Sequence, residues 1–96
     1  IPELCNHIEY LVQKTGVDHI AIGSDYFGGA TPEGLEDVSK FPNLIAALVD
    51  RGWADAAIAK IASGNFIRLF RSVERTARSL QRTEMPRTGR IEDYDR

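Results

Sequence analysis

At 96 residues the chain has the length of one small domain, and its 43% hydrophobic and 27% charged residues are those of an ordinary folded protein. A net charge of -2 excludes a strongly basic nucleic-acid binder, and no apolar stretch is long enough to cross a membrane. Cys5 is the single cysteine and cannot form an internal disulfide, which leans the expected location toward the reducing cytoplasm.

Residues 3–14 carry Leu4, Ile8, Leu11 and Val12 at spacings of three and four, which predicts an amphipathic helix with Pro2 near its first turn and Gly16 at its end. The apolar run His19-Ile20-Ala21-Ile22 follows and reads as a buried strand. By side-chain parity Asp25 shares a face with Gly23, Ala21 and His19, while Ile20, Ile22 and Ser24 take the other. The composition then turns to Gly, Thr, Pro, Asp and Ser, a long loop over residues 24–40 with one helical turn expected at Thr31-Pro32-Glu33.

A second helix is predicted over residues 42–50, burying Leu44, Ile45 and Leu48 and ended by Gly52, with Trp53 at the corner. A third is expected over 54–62, with Gly64 as its break. Asn65 is then the expected N-cap of a fourth, which carries Phe66, Ile67, Leu69, Phe70 and Val73. After about Leu80 the periodicity dissolves, so residues 83–96 read as a disordered or draped tail.

One strand has nothing to pair with, so the order helix, strand, loop, helices reads as a piece of a larger fold. The expected class is α/β, with residues 1–82 as the C-terminal portion of a (β/α)8 barrel: one parallel strand plus flanking helices. Enzymes of that architecture keep their chemistry at the C-terminal ends of the strands. Gly23-Ser24-Asp25-Tyr26-Phe27-Gly28-Gly29 occupies that position, and Asp25 would point into the barrel mouth.

Three stretches carry a resemblance: 16–25, Gly-Val-Asp-His-Ile-Ala-Ile-Gly-Ser-Asp; 32–45, from Pro32-Glu33-Gly34-Leu35 to Pro42-Asn43-Leu44-Ile45; and Gly64-Asn65-Phe66-Ile67-Arg68-Leu69-Phe70. The chain resembles, from about His7 to Glu74, the C-terminal part of the membrane (renal) dipeptidase family of zinc metallopeptidases. That resemblance implies a two-zinc barrel enzyme that hydrolyses dipeptides, this chain supplying the eighth strand and the helices after it. It implies a proton-transfer role for Asp25 beside a metal-bound water, chemistry in which a carboxylate takes the proton and delivers it to the leaving amine.

The same resemblance places the zinc ligands on earlier strands, outside this chain, so no metal ligand is expected among these residues and the segment alone is expected to be inactive. After Asp25, many relatives read Phe-Asp-Gly where this chain has Tyr26-Phe27-Gly28, a departure that bears on the substrate range. Tyr26 and Phe27 are the candidate substrate-binding residues. The expected partners are a dipeptide, the remainder of the barrel and a second copy of the chain, with no nucleic acid.

Other charged residues read as structural. His19, at the far end of the strand, lies about 20 Å from Asp25 at roughly 3.3 Å per residue, and His7 has no ligand partner at metal spacing. Glu33, Glu36 and Asp37 lack the alternating spacing of a calcium loop and read as a solvated or capping set. Arg68, Arg71, Arg75, Arg78 and Arg82 read as a solvated helix face. A second function class stands beside the enzyme: a small helical interaction module with a helix-turn-helix around Gly64.

Overall fold

The chain is described by a computed structural model covering residues 1–94. The first helix, α1, spans Pro2–Thr15. Pro2 suits the first turn, where an amide hydrogen would go unpaired, and Glu3 and Lys14 stand at the ends that favour their charges. Gly16 terminates it with φ 82°, a backbone conformation that costs glycine least, and its N–H donates to the Val12 carbonyl at 2.9 Å.

The second helix, α2, spans Phe41–Asp50, and Gly52 with φ 85° turns the chain out of it. Arg51 then ties α2 back to α1. Its guanidinium donates to the Asn6 side chain at 2.8 Å, to Glu9 at 3.0 Å and to the Pro2 carbonyl at 3.1 Å. The other Glu9 oxygen accepts from the Trp53 indole at 3.2 Å, so one carboxylate holds both residues of the corner.

Next come α3, Asp55–Ala59, and α4, Asn65–Gln81, joined by a π-helical turn over Lys60–Gly64. The expected break at Gly64 is therefore corrected. Gly64 has φ -58° and ψ -44°, Asn65 is helical as well, and the axis runs on without a turn. A glycine costs a helix only about 1 kcal/mol relative to alanine, a penalty that tertiary packing and hydrogen bonding readily outweigh. Asn65 is not an N-cap, and the helix-turn-helix of the alternative reading has no turn to build on.

The fold class is corrected too. Among the described residues there are helices and no strand, so this chain is all-helical and not a portion of an α/β barrel with a parallel strand. Residues 17–19 form a 3-10 turn, and residues 20–24 run on in no regular element. Ile20 and Ile22 face the core while Ala21 and Gly23 stay exposed, so the period of two survives over this short stretch. A strand, however, is defined by its ladder of bonds to a neighbour. Here the Ile22 N–H donates to the Ile61 carbonyl of the π turn at 3.1 Å, and a helix offers no ladder to extend. The one helical turn expected at residues 31–33 is a tight turn closed by Leu35 N–H to the Pro32 carbonyl at 3.0 Å, followed by a 3-10 turn at Val38–Lys40.

The core joins Cys5 and Ile8 of α1, Leu35 of the loop, Leu44 and Leu48 of α2, Ile58 of α3 and Ile61 of the π turn. Each such aliphatic side chain, fully buried, stabilises by about 1.5–3 kcal/mol. This core gathers at one end of the molecule. Beyond it α4 projects with Phe66, Leu69, Phe70, Val73 and Leu80 exposed. Residues 82–94 lie exposed, with local turns only: a 3-10 turn at Ile91–Asp93, and Tyr94 folded back on Gly89. The last two positions of the expected tail lie outside the described residues.

Candidate functional site

Asp25 stands where the extended segment turns back. Its φ is 50°, a left-handed conformation that aspartate tolerates better than most side chains. Phe27, two residues on, has φ 72°. Together they reverse the chain, and the Gly28 N–H closes the turn on the Asp25 carbonyl at 2.9 Å. The Asp25 side chain is exposed, and among the described residues no hydrogen bond or ion pair engages its carboxylate.

Tyr26 faces the other way. Its ring meets Phe41 edge-on at 6.2 Å between centroids, and its hydroxyl donates to the Leu35 carbonyl at 3.3 Å. Desolvation raises its phenolic pKa, with the Asp37 and Glu36 carboxylates adding to the shift. It thereby forms one wall of a cleft of about 280 Å³, with His7 and Ile8 of α1, Ile22 and Ser24 of the extended segment, and Leu44 of α2 among the other lining residues. The cleft is largely apolar, with His7, Ser24, Tyr26 and Thr31 as its polar side chains.

The three site residues expected from the sequence are thus not brought to one surface. Tyr26 lines the cleft, whereas Asp25 and Phe27 stand outside it at the turn, with Phe27 105% exposed. Among the described residues no strand carries Asp25; it stands exposed at the turn. His19 is exposed in the 3-10 turn.

The acidic loop beside the cleft spends its carboxylates on local capping. Glu36 accepts from the Gly34 N–H at 2.8 Å, and Asp37 accepts from both the N–H and the hydroxyl of Ser39. These bonds to the charged forms hold both carboxyls below the usual range, led for Glu36 by the Gly34 amide and for Asp37 by the Ser39 hydroxyl. Among the described residues no three histidine, cysteine, aspartate or glutamate side chains converge as a metal site.

The residues that hold the approach to Asp25 are ones the pattern assigned other roles, Asn65 as an N-cap and Arg68 to a solvated helix face. Asn65 is 5% exposed, and its side-chain amide donates to the Val17 carbonyl at 2.6 Å and to the Ile20 carbonyl at 2.8 Å. Arg68 donates to the Asn65 side-chain oxygen at 3.1 Å and to the Asp18 carbonyl at 2.6 Å. Lys60 pairs with the Asp18 carboxylate at 2.7 Å. The signal for this cluster was the Gly64-Asn65 pair itself, which local rules read as helix punctuation.

Comparison with known proteins defines the class. The family model described as membrane dipeptidase (peptidase family M19) matches residues 1–84. The chain is 40% identical over 84 residues to "Dipeptidase aclJ" of Aspergillus oryzae, covering 86% of this chain and 20% of that protein. It is 39% identical over 80 residues to "Dipeptidase tcpJ" of Claviceps purpurea, covering 82% and 19%. With "Dipeptidase verJ" of Clonostachys rogersoniana it shares 37% identity over 84 residues, covering 86% and 22%. The chain belongs to the membrane dipeptidase family, and it spans about a fifth of the length of the curated relatives it matches.

Proposed function

We propose that the polypeptide carrying this segment is a dipeptidase in which Asp25 moves the proton of the attacking water. The observation that carries the reading is the Asp25 carboxylate, exposed at a left-handed turn and engaged by no other described residue, in a chain of dipeptidase family. In peptide hydrolysis the water oxygen bonds to the carbonyl carbon, its proton passes to the carboxylate, and the C–N bond breaks as that proton goes to the leaving amine. An unpaired carboxylate on a short side chain is suited to both transfers. Phe27, exposed beside Asp25, offers apolar surface to a side chain of a dipeptide, whereas Tyr26 lines the separate cleft.

Zinc is the metal that the family resemblance implies. The described residues do not fit such a centre, since no three ligating side chains converge. Its ligands would lie in sequence outside this chain. The isolated segment is accordingly expected to be inactive.

The test is Asp25→Asn in the full-length protein, which keeps size and polarity and removes the base. Positioned acid-base groups contribute about 10²- to 10⁴-fold, so kcat for dipeptide hydrolysis should fall by that order with metal content and folding preserved. A near-normal kcat, or a loss explained by lost metal, would refute the proton-transfer role.

A further inference from the structure

Apart from the His19 N–H to the adjacent Gly16 carbonyl, the hydrogen bonds that tie residues 17–22 to the rest of the described residues all run to one stretch of helix, residues 60–68. An ordinary α-helix would bond the Asn65 N–H to the Ile61 carbonyl, four residues back. In the π turn that N–H bonds Lys60 instead, and the Ile61 carbonyl accepts from the Ile22 N–H at 3.1 Å. One turn further on, the Asn65 amide bridges the Val17 and Ile20 carbonyls, and Arg68 reaches the Asp18 carbonyl while holding the Asn65 oxygen.

We propose that the π turn, Asn65 and Arg68 form a clamp that sets where the Asp25 carboxylate stands, with Asn65 and Arg68 as positioning residues. The proposal rests on the reading of Asp25 as the proton carrier. Three features support it. Asn65 is a buried polar residue where a leucine would bury more apolar surface, so its presence needs the bonds it makes. Its two acceptors are three residues apart, so one side chain fixes the bend of the segment rather than a single point on it. Asp25 lies three residues beyond Ile22, and a slip of that run by one residue would expose Ile20 and Ile22 and carry Asp25 along. A π turn interrupting a helix is also a recurrent feature of functional sites.

The test is a double-mutant cycle in the full-length protein, read by steady-state hydrolysis of alanyl-alanine. Asn65→Leu is expected to lower kcat about 10- to 100-fold while KM moves less than about threefold, as for a misplaced catalytic group. In the Asp25→Asn background the same change should cost less than about twofold, because the group it positions is already disabled. Arg68→Met, at an exposed position, carries the same cycle if Asn65→Leu does not fold. Undiminished kcat in the clamp variants, or a loss that multiplies fully with that of Asp25→Asn, overturns the clamp. Near-normal kcat in Asp25→Asn alone overturns instead the reading on which it rests.

Discussion

Gly28 lies under the carboxylate of Asp25: a Cβ at Gly28 would stand 2.7 Å from Cγ and from both carboxylate oxygens. Non-bonded heavy atoms prefer about 3.5–4.0 Å, so Gly28→Ala forces the Asp25 side chain into another rotamer. The loop is exposed, and surface substitutions away from special features usually stay within about 0.5 kcal/mol. The expected outcome in the full-length protein is a kcat for dipeptide hydrolysis lowered by about 10-fold or more with an almost unchanged melting temperature. Full activity would mean that the rotamer of Asp25 is immaterial to the reaction.

Phe27 holds a left-handed backbone with its ring in solvent. That conformation costs a bulky L-residue roughly 1–2 kcal/mol, and asparagine tolerates it better. Phe27→Asn loses no packing and is expected to stabilise the protein by about 0.5–1 kcal/mol, read as a higher urea midpoint. If the ring also contacts substrate, KM rises in the same variant.

The Asp18–Lys60 pair makes stability depend on acid. The hydrogen bond from Lys60, reinforced by its charge, holds the Asp18 pKa below its ordinary value. A folded pKa below the unfolded one means the pair stabilises above the unfolded value, about 3.9 for aspartate, and that contribution is lost as pH falls through the folded pKa. Lys60→Met should therefore lower the melting temperature at pH 7 and leave it unchanged once the Asp18 carboxylate is protonated in the folded state. A difference independent of pH would assign the loss to the Lys60 stem rather than its charge.

Leu48 of α2 is fully buried in the core that α1, α2, α3 and the π turn share. Leu48→Ala removes its contacts and leaves a cavity, a change that costs about 2–5 kcal/mol. Urea unfolding should show that loss as a lower midpoint. A cost under about 1 kcal/mol would show that the core collapses to fill the space.

Family membership was legible from linear spacing, because the segments 16–25, 32–45 and 64–70 keep their residue types and intervals whatever the chain does between them. The helices at Pro2–Thr15 and Phe41–Asp50 were legible as well, since a period of 3.6 with a proline start and a glycine stop is a local signal. The alternation at residues 20–23 separated Ile20 and Ile22 from Ala21 and Gly23 as two faces, but it set the small-residue face toward a barrel interior, whereas that face is exposed.

Tertiary structure decided the rest. Alternation records which side chains are buried but not what the backbone bonds, and at Ile22 the partner is a helical carbonyl rather than a strand. Gly64-Asn65 looks like a helix boundary to any rule that counts neighbours, yet the asparagine amide finds two carbonyls some 45 residues away in sequence, and their bonds outweigh the local preference to break. The sequence by itself determined the family, the amphipathic faces and the presence of an aspartate at a glycine-rich turn. Only packing decided that the extended run would rest on a π turn, that Tyr26 would face the cleft and that Asp25 would face solvent. Those outcomes depend on non-local hydrogen bonds and on left-handed backbone angles, which no residue pattern along the chain specifies.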